Sequence, residues 1–153
     1  MSYDKSQFRD IVRTILHEIQ LHSPEAEDIV VETCAQESQF GTYLKQLGGG
    51  PARGPYQMEQ ETEEDIWKNL LRYHSGMRDR LRTISGVIIP SPWQMAVNLA
   101  YSTAMCRYKY VMFPGNIPST VSGRAAYWKQ YYNTPGGSGT TAEYLENYEK
   151  YIK

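Results

Sequence analysis

Apolar residues recur at three- and four-residue steps along most of the chain. Phe8, Ile11, Val12, Ile15, Leu16 and Ile19 predict an amphipathic helix over 4–22. Ser23-Pro24-Glu25 reads as an N-cap, a proline at the first helical position and an acid in the first turn. Ile29, Val30, Thr33 and Cys34 carry that second helix to about residue 38. Thr62-Glu63-Glu64-Asp65 opens a third helix, continued by Ile66, Trp67, Leu70 and Leu71. A short helix is expected over 75–84. A longer one, opened by Ser91-Pro92, is expected over 92–110, with Ala96, Ala100 and Ala104 four apart for close packing. Further helices are expected over 121–132, carrying Ala125, Trp128 and Tyr132, and after the Thr140/Glu143 capping box, with Tyr144, Leu145, Tyr148 and Ile152 on one face.

Between the second and third helices the periodicity stops. Residues 39–61 hold five glycines and two prolines, which predicts a loop or a small irregular hairpin. No strand is expected elsewhere. The result is a mainly α single domain of 153 residues, long enough for one proper core.

Composition narrows the classes of function. The net charge of −1 gives no basic field for non-specific nucleic-acid binding. The polar N-terminus predicts no secretory signal peptide, and no apolar run is long enough for membrane insertion. Synthesis in a cytosol is therefore expected, with another delivery route for any action outside. Cys34 and Cys106 read as buried free thiols. His17, His22 and His74 lack metal-site spacing, so no metal and no cofactor are expected. Gly48-Gly49-Gly50 lacks the lysine and helix of a phosphate loop and reads as flexible cleft lining. Arg78, Arg80 and Arg82 would spread around a helix as a solvated face.

The residue that draws attention is Glu37. It falls at the C-terminal end of the second helix, where the helix dipole disfavours an anion. Apolar surroundings would raise its pKa further and keep it protonated near neutral pH, as a general acid for glycosidic cleavage requires. A solvated charge at a helix end is the plainer alternative.

Glu37-Ser38-x-Phe40 resembles the Glu-Ser motif of soluble lytic transglycosylases and goose-type lysozymes. Gly54-Pro55-Tyr56-Gln57-Met58-x-x-x-Thr62 resembles that family's Gly-Leu-Met-Gln-x-x-Pro-x-Thr phrase. Asn98-Leu99-Ala100 is placed like its Asn-x-x-x-Gly helix, and Ala125-Ala126-Tyr127 like the start of its Ala-Tyr-Asn motif. Gln60, Ser102 and Trp128 stand where the family has proline, glycine and asparagine. The stretch Tyr127 to Thr140 is similar to one in phage-encoded relatives.

The resemblance implies a lysozyme-like fold whose glycine-rich loop lines a cleft for peptidoglycan glycan strands. It makes Glu37 the sole catalytic acid/base of a lytic transglycosylase. Ser38, Phe40, Tyr56, Gln57, Tyr101 and Tyr127 become candidates for binding substrate or orienting Glu37. For Ser38 a helix-end bond to a backbone carbonyl is an equal alternative, for Gln57 loop bracing, and for Tyr101 and Tyr127 a place in the core. Glu59, two residues past Gln57, would instead activate water in an inverting hydrolase if it faced Glu37 across the sugar, about 6.5–9.5 Å away. A non-catalytic glycan-binding virion module is the rival from another class. The implied setting is a bacteriophage protein acting on the periplasmic wall, as a virion or tail component or an endolysin. A bacterial protein secreted by a specialised apparatus is the other setting.

Overall fold

The computed structural model describes all 153 residues. Eight α-helices make up the chain: α1 (Lys5–Glu18), α2 (Pro24–Ser38), α3 (Gln60–Asn69), α4 (Ser75–Ser85), α5 (Pro92–Val97), α6 (Leu99–Val111), α7 (Val121–Tyr127) and α8 (Thr141–Tyr151). A 3-10 turn, Leu71–Tyr73, follows α3, and a π-helical turn, Trp128–Asn133, follows α7. There is no strand.

Caps set most of the boundaries. Asp4 accepts from the Ser6 and Gln7 N–H groups, Ser23 from Ala26, Thr120 from Gly123 and Thr140 from Glu143. Several boundaries differ from the sequence expectation; the helix expected over 121–132 gives way to the π-turn after Tyr127. α1 ends at Glu18, because the chain turns left-handed at Gln20 (φ 61°) and Leu21 N–H returns to the Leu16 carbonyl. Ile11, placed on the apolar face by its spacing, is 45% exposed. α3 starts at Gln60, two residues early and without a side-chain cap. The reciprocal backbone pair between Arg53 and Met58 closes the preceding loop at that point.

The expected 92–110 helix is two. Asn98 takes an extended backbone (φ −112°, ψ 97°) and separates α5 from α6. Its Oδ1 caps α6 at Tyr101 N–H, while its Nδ2 donates to the Ser85 carbonyl and to Gln94. A side chain that satisfies three separate groups makes the break cheaper than a continuous helix.

α2 and α6 form the centre. Ten of the fifteen residues of α2 are buried, so a periodicity reading catches only part of its contact surface. Thr33 on α2 meets the Tyr110 hydroxyl on α6 at 2.8 Å. One apolar cluster of 31 buried residues joins all the helices, which makes the chain one domain. Cys34 and Cys106 are buried free thiols within it. No helix is long and apolar enough to cross a membrane.

Two buried carboxylates tie this core together. Glu32 accepts from Arg124 Nη2 at 2.8 Å and from the Tyr144 hydroxyl at 2.7 Å, linking α2, α7 and α8. Glu63, read from sequence as one of several acids at a helix start, is instead fully buried. It accepts from the Tyr101 hydroxyl and, at 2.7 Å, from Ser91 N–H, joining α3 to α6 and to the start of α5.

The loop from Gln39 to Glu59 is the irregular hairpin the glycines predicted. Its ladder pairing is limited to isolated bridges, Lys45 with Arg53 and Arg53 with Met58. Gly54 anchors it against α5. Its φ is +82°, its N–H donates to the Leu44 carbonyl at 2.8 Å, and a Cβ there would lie 2.0 Å from the Met95 carbonyl oxygen. Gly54→Ala therefore meets both backbone strain and a clash with rigid backbone. Urea unfolding should show a loss of about 2–4 kcal/mol. A loss under about half a kcal/mol would mean that the loop yields freely at this point.

Candidate active site

The loop, the end of α2, α6 and the π-turn enclose a cleft of about 590 Å³, within the range of small-ligand sites. Glu37, the second-last residue of α2, lines it. Its Oε1 accepts from Trp128 Nε1 at 3.0 Å. Trp128 opens the π-helical turn; such turns are frequent at functional sites. Gly139 lies against the Trp128 ring, so closely that a Cβ there would come within 2.7 Å of it.

Burial drives the Glu37 carboxyl up to about 7, against the opposing pull of the Trp128 N–H and the Lys109 ammonium. The group is thus about half protonated at neutral pH and can give or take a proton. Lys109, on α6, lines the same cleft. Burial lowers its pKa, while Glu37 and, more weakly, Glu59 favour its charge. It donates to the Tyr132 carbonyl at 3.0 Å and stands 4.0 Å over that residue's ring. The Tyr132 hydroxyl in turn donates to the Tyr56 carbonyl at 2.7 Å. Removing the indole donor should raise the Glu37 pKa further. Trp128→Phe, followed by carboxyl-carbon NMR titration, should place the midpoint above that of the parent. A lower midpoint would show that the indole does not hold the anion.

Gln57 and Glu59 also line the cleft. Gln57 Nε2 donates to the Gly54 and Tyr43 carbonyls, at 2.9 and 3.3 Å, so its amide nitrogen braces the loop and does not reach Glu37. Its Oε1 has no protein partner and remains an acceptor for the cleft. Glu59 is exposed at the start of α3, with Thr62 beside it in the lining.

Five non-glycine residues have positive φ: Gln20, Gln39, Phe40, Gln57 and Thr134. Gln39, Gln57 and Thr134 line the cleft. Strained backbone of this kind gathers at functional sites because surrounding structure must hold it there.

The other expected residues lie elsewhere. Ser38 is buried, donating to the Cys34 carbonyl at 3.0 Å and accepting from Gly41 N–H at 2.8 Å, so it closes the helix end. Phe40 is buried against Tyr3, Phe8 and Tyr151. Tyr56 is fully buried, its hydroxyl 2.8 Å from Thr103 Oγ1. Tyr101 is buried on Glu63 and Trp67. Tyr127 faces a second cavity on the other side of α6. Tyr127 apart, each is a side chain that the packing of the core uses internally.

Lys109 and Tyr132, which line the cleft, and Trp128, which is buried against Glu37, were not singled out from sequence for this site. The signal for Lys109 was present, as an ammonium between two tyrosines in the second half of α6. Trp128 and Tyr132 needed the π-turn, which no local pattern marks. No group of three or more His, Cys, Asp or Glu side chains converges in a way that could hold a metal ion. Compared with known proteins, the chain matches no protein-family model, no curated protein and no solved structure.

Proposed function

We propose that the protein is a lysozyme-like enzyme that cleaves the β-1,4 bond between N-acetylmuramic acid and N-acetylglucosamine in peptidoglycan, by lytic transglycosylation. The observation that carries this reading is the Glu37 carboxyl, placed in a cleft at a helix end with its Oε1 held by the Trp128 indole, where burial raises its pKa. The sequence resemblance around Glu37 and Gln57 supplies the substrate class.

Protonated Glu37 donates its proton to the glycosidic oxygen, and the bond from that oxygen to the muramyl anomeric carbon breaks. The carboxylate left behind is stabilised by the Trp128 N–H and the Lys109 ammonium, both donors to developing negative charge. The muramyl 6-hydroxyl then attacks the anomeric carbon and returns its proton to Glu37. The product is a 1,6-anhydro sugar, no water is consumed, and the acid is regenerated. One carboxylate suffices because the nucleophile belongs to the bound substrate. Gln57 Oε1 is an acceptor for a sugar hydroxyl or acetamide N–H.

Glu59 favours a second reading. It lines the same cleft and helps to hold the Lys109 charge. A water activated by Glu59 would make the enzyme an inverting hydrolase. Mass spectrometry of products from purified peptidoglycan separates the two. Anhydromuropeptides, together with a Glu59→Gln variant that keeps most activity, are the expected result. Products heavier by one water, with activity abolished in Glu59→Gln, would replace transglycosylation by hydrolysis. A parent protein that binds walls without cleaving them would make this a glycan-binding module. The setting consistent with the reading is a wall-cleaving protein of a phage virion, a phage endolysin or a bacterial secretion apparatus.

A further inference from the structure

On the side of α6 away from Glu37 lies a second cavity, of about 580 Å³. Its walls come from the start of α2, the second half of α6, the segment that follows it and α7. Val111, Phe113 and Ile117 supply apolar surface, and Arg107, Glu25 and Tyr127 supply polar groups.

One of these polar groups is unsatisfied in a way that an ordinary core does not tolerate, and another is a cation without a counter-charge. Arg107 is half-buried, and its Nε donates to the Leu21 carbonyl at 2.9 Å. None of the protein's ion pairs includes it, whereas the other deeply placed arginine, Arg124, is fully paired with Glu32. Burial pushes the Arg107 guanidinium below its ordinary value, and no carboxylate offsets this. Tyr127 is 8% exposed, and its hydroxyl is buried with no hydrogen-bond partner. A guanidinium fork without a counter-charge and a hydroxyl without a partner, in one apolar-walled cavity, match a ligand carboxylate. Glu25 also lines the cavity and enters no ion pair. It opposes a doubly charged anion and suits a ligand that carries an ammonium as well.

We infer that this cavity binds a short peptide through its free C-terminal carboxylate. The Arg107 guanidinium forks onto the two oxygens, the Tyr127 hydroxyl donates a further bond, and Glu25 faces an ammonium group of the peptide. The apolar walls take aliphatic side chains. This site is independent of glycan cleavage at Glu37. Peptides of this chemistry come from cell-wall stems, which end in D-amino acids, or from ordinary L-peptides.

The test is calorimetric titration of the full chain with three synthetic probes. These are a wall-type tetrapeptide ending in D-alanine, its C-terminal amide, and the same peptide ending in L-alanine. Saturable binding of the free acid is expected, with at least about tenfold weaker binding of the amide. Arg107→Met should show a similar loss, and Tyr127→Phe about a threefold one with the melting temperature kept, since its hydroxyl has no partner to lose. A preference for the D-form assigns the source to the wall, and equal binding assigns it to peptides generally; either supports the site. No saturable binding by the folded parent would overturn the inference. So would equal affinity for acid and amide, an unchanged Arg107→Met variant, or competition by inorganic phosphate at equal concentration. None of these outcomes depends on wall clearing, so failure here and failure of the catalytic reading are distinguishable.

Discussion

Glu37→Gln should lose about 10³-fold in wall-clearing rate while keeping its binding to peptidoglycan, because an amide cannot supply the proton that the leaving oxygen needs. The same variant should be the more stable protein above neutral pH. The folded-state pKa of Glu37, about 7, lies above the ordinary value of 4.5. Folding therefore favours the protonated form. This contribution is full below about pH 4.5 and is lost as the pH rises through about 7. By pH 8 the parent carries a desolvated anion that the amide avoids, a difference on the order of 2 kcal/mol. The parent's activity should fall along the same limb, as the acid form disappears. Two measurements check this together: clearing rate against pH, and urea unfolding of both proteins at pH 5 and pH 8. A variant that cleared walls at the parent rate would sink the catalytic assignment. One that was less stable at pH 8 than at pH 5, by as much as the parent, would sink the electrostatic account of the site.

The largest stability effect should come from Glu32→Gln. Arg124, 5% exposed, would then keep its charge without the carboxylate that it contacts through Nε and Nη2. Breaking one side of a buried pair costs about 3–5 kcal/mol, because the surviving charge stays desolvated. In a chain of this size that lowers the melting temperature by roughly 10 °C. Asp28, 3.8 Å from Arg124 Nη1, is too far to replace the lost partner fully. Replacing the whole network, Glu32→Met with Arg124→Met and Tyr144→Phe, should recover most of the loss, since no buried polar group is then left over. Thermal melts of the two variants decide the matter. If the single variant melted within a degree of the parent, or the triple variant melted below the single one, the pair would not be the strut described.

Much of the helical frame was legible because its signals are local. The Ser23-Pro24 start of α2, the Thr140 start of α8 and the Ser91-Pro92 start of α5 are each set by neighbours three or four residues away. The breaks were not. Asn98 splits one periodic run because Ser85 and Gln94 accept its amide, and Ser85 belongs to a different helix. Tyr101, Tyr127 and Tyr132 look alike as tyrosines in helical segments. Yet Tyr101 serves a buried carboxylate, Tyr127 faces the second cavity and Tyr132 carries the ammonium of Lys109.

Periodicity, caps and the glycine-rich interval were enough to establish a mainly α domain, with Glu37 at a helix end and Gln57 on the returning loop. These depend on interactions within a few residues of chain. Only the tertiary packing decided what surrounds Glu37. It brought Trp128 from a π-turn 91 residues away to hydrogen-bond Glu37, and Lys109 from α6 into the same cleft. It also left Arg107, two residues from that lysine, facing a different cavity without a counter-charge. A carboxyl's proton affinity depends on burial and on charges a few ångströms away in space, and neither has a period along the chain.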